Sequence, residues 1–167
     1  MFDDAAPIWR FLAGLNGTED PNAARTADEG LFYLEVFPAL ALASIGDAFW
    51  GRLAAPRYNP TRKKTFRLEH WHSVLHAVAA DARRLGCGPL AEWCDQLSAV
   101  ERPRKADQDR LDAAICLLTA IIWRIEPRDR SLMIGDLATG YMVTPASAAV
   151  RQKLLRPLSA APLAGWR

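Results

Sequence analysis

Three cysteines, Cys87, Cys94 and Cys116, are too few and too oddly numbered for a disulfide framework, and none stands in a Cys-x-x-Cys pair. A reducing compartment is the simpler expectation. The longest apolar run, Ala113 to Trp123, is interrupted by Thr119 and is too short to span a bilayer. The start, MFDDAAP, is acidic where a secretory leader would be basic. These features together predict a cytoplasmic protein with no membrane partner. No internal repeat is present. Acid is also missing locally: between Asp47 and Glu69 there is none, while Arg52, Arg57, Arg62, Lys63, Lys64 and Arg67 fall there. After Asp136 the remaining charges are all basic. The net charge is only +2, so any electrostatic argument rests on this distribution and not on the total.

What is present is enough apolar residue for a core. Half of the 167 residues are hydrophobic, and a domain of this size buries roughly 70% of its unfolded surface. PIWRFLAGL at 7–15 reads as a short helix opened by Pro7, and LFYLEVF at 31–37, ended by Pro38, reads as a buried strand. PALALASIGDAFWGRL follows as a short helix. APRYNPTRKKTFR is a basic loop punctuated by prolines. In 68–85 the residues Trp71, Leu75, Val78 and Ala82 recur at helical spacing, with Gly86 as a stop. PLAEWCDQLSAV is a further helix, and ERPRKADQDRLDAAICLLTAIIWRIE a third, preceded by Pro103. SLMIGDLATGYMVTP reads as two extended pieces around a turn, and residues 146–167 as a Pro/Ala-rich tail.

The third helix raises the chemical question. Asp107 and Asp109 suit a helix N-terminus, where the macrodipole and free N–H groups stabilise an acid by about 0.3–1 kcal/mol. Asp112 shares a face with Cys116, Thr119 and Trp123, while Leu111, Ile115, Leu118, Ile122 and Ile125 form a second apolar stripe. Neighbouring carboxylates in such a place repel unless one is protonated or a cation intervenes. Two readings therefore stand: capping and ion pairing, or a metal site. Glu35, in an otherwise uncharged run, is either a further ligand or an edge residue reaching water. Oxygen donors of this kind suit Mg²⁺ or Mn²⁺ and metal-assisted phosphodiester hydrolysis. Arg62, Lys63, Lys64 and Arg67, interleaved with Tyr58 and Phe66, either track a phosphate backbone or form a solvated loop. His70, His72 and His76 lack a zinc-enzyme frame.

In chain order, YLEVFPALAL, YNPTRKKTFR, PRKADQDRLDAAICLLTAIIWR and MIGDLATGYMVTP resemble the predicted RNase H-like nuclease family catalogued as domain of unknown function 429. The similarity covers roughly residues 7 to 145. Asp-x-x-Asp-Ala at 109–113 also resembles the last acidic helix of RuvC-type resolvases. The resemblance implies an α/β fold: an incomplete RNase H-like domain over residues 1–145, a small sheet flanked by the helices near 68–85 and 107–125. It implies that Glu35, Asp109 and Asp112 face one site as catalytic metal ligands, with Asp107 as a cap or outer ligand. No strand before residue 31 carries the family's first Asp. The expectation is thus a truncated, metal-dependent nuclease-like domain, weak or inactive alone, or else a non-catalytic nucleic-acid-binding or structural remnant. Missing strands would also leave an exposed sheet edge able to drive homo-oligomerisation.

Overall fold

The computed structural model describes residues 7–49 and 56–154. Among these residues seven helices and one hairpin follow in order: α1 Pro7–Gly14, α2 Ala23–Thr26, α3 Pro38–Ile45, α4 Leu68–Arg84, α5 Gly88–Ser98, α6 Lys105–Ile125, β1 Ser131–Asp136, β2 Gly140–Pro145 and α7 Ala148–Leu154. Short 3-10 turns lie at Asp47–Phe49 and Arg128–Arg130. The part of the Pro/Ala-rich tail from residue 155 onward lies outside the described residues, as does Arg52. Among the described residues no helix is long and apolar enough to cross a membrane.

The helical stripes form the larger core. Trp71, Leu75, Val78 and Ala82 of α4 are all fully buried, and so are Leu111, Ile115 and Leu118 of α6, with Ile122 nearly so. The stripe ends a turn early: Ile125 is 58% exposed, because α6 stops there and the chain turns away at Pro127. Gly86, at φ +74°, ends the α4 turn in the left-handed region, and the N–H of Cys87 returns to the Ala82 carbonyl at 2.8 Å. Only a residue without a Cβ takes that conformation without strain.

A smaller core sits under the hairpin. Trp123, Tyr141 and Val143 are buried, with Leu34, Val36 and Met133 packed against them. Strands β1 and β2 pair antiparallel, Ser131 opposite Pro145 through Asp136 opposite Gly140. The sheet packs on α6 and α3, whereas α4 packs chiefly on α5 and α6. The expected covering of the sheet by 68–85 is therefore corrected: α4 belongs to the helical layer behind α6.

The segment 31–37 is extended but is not a regular buried strand. It makes isolated parallel bridges, Phe32 with Thr18 and Val36 with Val143. The Leu31 carbonyl and Tyr33 N–H bond to Thr18 at 2.8 and 3.2 Å, and the Glu35 carbonyl accepts the Val143 N–H at 2.8 Å. Backbone groups alternate sides along an extended chain, so all three bonds fall on one edge. On the other edge the backbone groups of Phe32, Leu34 and Val36 have no partner among the described residues.

Candidate functional site

Each acid of the α6 start has its own partner. Asp107, three residues into the helix, accepts the Arg104 N–H at 2.8 Å and is the cap; Arg110 stands 3.8 Å away. Asp109 is exposed and pairs with Lys105, one turn back. Lys105 also donates to Gln108 Oε1 at 2.7 Å. Gln108 is buried, and its Nε2 donates to Asp112 Oδ2. The other oxygen of Asp112 accepts the hydroxyl of Tyr58 at 2.8 Å.

Asp112 is thus a half-buried carboxylate held by two neutral donors. Burial raises its pKa above the ordinary value of 3.8, with Asp109 adding to the rise, while the bonds from Tyr58 and Gln108 and the charge of Lys105 oppose it. Tyr58 is buried and its phenol is pushed well up, first by burial and then by its bond to Asp112. One turn along α6, burial and then the Asp112 charge raise the Cys116 thiol.

Glu35 is exposed. It borders an open cavity of about 230 Å³ whose walls include Leu34, Val36, Cys116 and, from α1, Trp9 and Leu12. Consecutive residues Tyr33 to Val36 share this cavity. Side chains alternate faces along an extended chain, so the cavity lies beside the backbone edge. Glu19 reaches the same space, and burial together with the Glu19 and Glu35 carboxylates pushes Tyr141 up to about 12.

The structure therefore brings the Glu35 cavity to the Cys116 turn of α6 but does not gather Glu35, Asp109 and Asp112 around one point. Among the described residues no three His, Cys, Asp or Glu side chains are arranged to hold a metal ion. The donor chemistry agrees, since Asp109 faces Lys105 and Asp112 is occupied by a phenol and an amide.

The basic loop is built from local bonds. Arg67 N–H returns to the Arg57 carbonyl at 2.8 Å, closing its base, and Arg57 N–H donates to His70 Nδ1 at 2.8 Å. Asn59 Oδ1 accepts from the N–H and hydroxyl of Thr61 at 3.0 and 2.7 Å, and the N–H groups of Thr65 and Phe66 both reach the Arg62 carbonyl at 2.8 Å. Tyr58 pins the loop to α6 through Asp112. Arg62, Lys63, Lys64 and Arg67 are exposed, and no ion pair among the described residues involves them.

Sequence reasoning passed over Gln108, which could have been read from its i, i+4 spacing to Asp112. It placed Tyr58 in the basic loop, but the bond to Asp112, 54 positions away, carried no local signal. No protein-family model, curated protein or solved structure compared with the chain matches it.

Proposed function

We propose that the chain is an RNase H-like domain that binds nucleic acid through the loop at 56–67 and, on its own, hydrolyses it weakly or not at all. The observation that carries this reading is the loop itself: four exposed cations without acidic partners, on a backbone ordered by its own turns and tied to α6. A flexible charged loop loses conformational entropy when it binds, about 1–2 kcal/mol per residue fixed. A pre-ordered one loses less, so more of the phosphate attraction appears as affinity. Tyr58 and Phe66 anchor the cations: Tyr58 is buried, Phe66 half-buried against the helical core.

Metal-dependent hydrolysis is the second reading, favoured by one observation: Glu35 and Cys116, one turn from Asp112, border the same cavity. Under it, Glu35, Asp109 and Asp112 would hold Mg²⁺ or Mn²⁺, which orients water and neutralises the leaving oxygen when bound. As they stand these side chains do not fit an ion, so no catalytic step is derived from them. Incubating the chain with labelled single- and double-stranded DNA and RNA in Mg²⁺ or Mn²⁺ separates the two readings. Binding without cleavage supports the first. Cleavage that Asp112→Asn abolishes would replace it with the second.

A further inference from the structure

The C-terminal end of α6 gathers arginines from distant parts of the chain. Arg25 comes from α2, Arg124 from α6, Arg128 from the following 3-10 turn and Arg151 from α7. The guanidinium of Arg128 lies 4.6 Å from the centre of the buried Trp123 ring, and that of Arg25 lies 5.2 Å from it. Arg128 and Arg151 both donate to the Ser131 carbonyl, at 2.8 and 2.7 Å. That shared acceptor keeps the two donating nitrogens within about 5.5 Å of each other.

Part of this arrangement is structural. Arg25 donates to the carbonyls of Trp123 and Glu126, which α6 leaves without helical partners, and Arg124 reaches back to Arg25 and Ala27. The bonds do not exhaust the donors. Arg25, Arg128 and Arg151 make six hydrogen bonds out of about fifteen N–H groups. Nor is the charge balanced. No ion pair among the described residues includes these arginines. Glu126, whose carbonyl Arg25 holds, commits its carboxylate to Arg84, and Asp129 contributes its carbonyl to Arg151. The helix macrodipole supplies only about half a negative charge here. Burial, then the charges of Arg25 and Arg151, lower the proton affinity of Arg128.

We propose that this cluster is an oxyanion site that takes a phosphate group, with Arg25, Arg128 and Arg151 as donors beside the face of Trp123. A guanidinium presents two parallel N–H groups that match two phosphate oxygens. Convergence of several such forks without a carboxylate is the arrangement a phosphate stabilises. The group is either a free phosphate or one in a nucleic-acid backbone. The Asp112 turn, where Tyr58 ties down the basic loop, and Trp123 are roughly 16 Å apart along α6. The site rests on its own geometry and not on the loop.

The test is titration of the full chain with inorganic phosphate, ionic strength held constant with chloride, read by thermal unfolding and by ³¹P line width. Phosphate should raise the melting temperature and broaden the line. Arg128→Gln with Arg151→Gln should weaken phosphate at least tenfold. Equal responses to phosphate and chloride, or full affinity in the double variant, would overturn the site. If that variant does not fold, Arg128→Lys serves, keeping the charge but losing the fork. Several-fold weaker binding supports the site, and unchanged binding refutes it. A single-stranded oligonucleotide then assigns the source. Displacement of phosphate by the oligonucleotide, with weaker oligonucleotide binding in the cluster variant, means a backbone phosphate. Unaltered oligonucleotide binding alongside lost phosphate binding means a free one.

Discussion

Replacing Tyr58 by Phe removes one hydroxyl and almost nothing else, yet that hydroxyl holds the basic loop to α6. It donates to Asp112 at 2.8 Å from a side chain that is only 6% exposed. A hydrogen bond to a charged group contributes about 1.5–3 kcal/mol. Gln108 remains as a second donor to Asp112, so a loss of about 2 kcal/mol at neutral pH is expected. For a domain of this size that lowers the melting temperature by about 4–8 °C. The pH dependence separates this from a packing effect. Burial already raises the Asp112 pKa and the Tyr58 bond opposes the rise, so Tyr58→Phe raises it further. With the folded pKa above the unfolded one, the stability contribution is fully present below the ordinary carboxylate pKa and is lost as pH rises through the folded value. The difference between parent and variant should therefore be smallest near about pH 4 and largest near neutrality. Urea unfolding at both pH values measures it. An equal loss at both, or one below about 0.5 kcal/mol at neutral pH, would show that the bond does not carry the anchoring.

Further outcomes follow from other parts of the structure. Gly135 stands at φ +87°, and a Cβ there would meet the Gly140 carbonyl oxygen at 2.2 Å, so Gly135→Ala should cost at least about 2 kcal/mol in urea unfolding. Mg²⁺ or Mn²⁺ at about millimolar levels should leave the melting temperature unchanged, because Asp109 and Asp112 already have partners; a rise that Asp112→Asn removes would move the assignment to the metal reading. The unpaired backbone of Phe32, Leu34 and Val36 should drive concentration-dependent dimerisation, detectable by sedimentation. Antiparallel pairing about Leu34 would set exposed Leu31 against exposed Phe37 of a second copy, and a strictly monomeric chain at high concentration would refute it.

The helices were legible where periodicity was strong. Trp71 through Ala82 and Leu111 through Ile122 are buried as their spacing implies, because a helix face is a local property of sequence. Asp107 as a cap was legible for the same reason, its partner lying three residues away. The 31–37 segment was legible as extended but not in its pairing: its neighbours, Thr18 and Val143, are remote, and parallel bridges leave no local mark. Glu35 stood out as the lone charge of its run, yet the sequence left open whether it binds a cation or reaches water; it is exposed. The partners of Asp112 divide along the same line, Gln108 within reach of a helical rule and Tyr58 beyond it. The arginines around Trp123 come from four elements and are assembled only by the fold.

Whether the loop at 56–67 holds nucleic acid by its phosphates is decided by the salt dependence of oligonucleotide binding. Affinity of the parent chain and of the variant with alanine at Arg62, Lys63, Lys64 and Arg67 is measured by fluorescence anisotropy across a salt series. Each phosphate contact contributes about 0.7–0.9 to the slope of log affinity against log salt. The parent slope should be steep, and the variant should flatten it by about one unit per lost contact, with its thermal stability unchanged. Parallel slopes and equal affinities for the two proteins would assign the loop to solvent and contradict the proposed function.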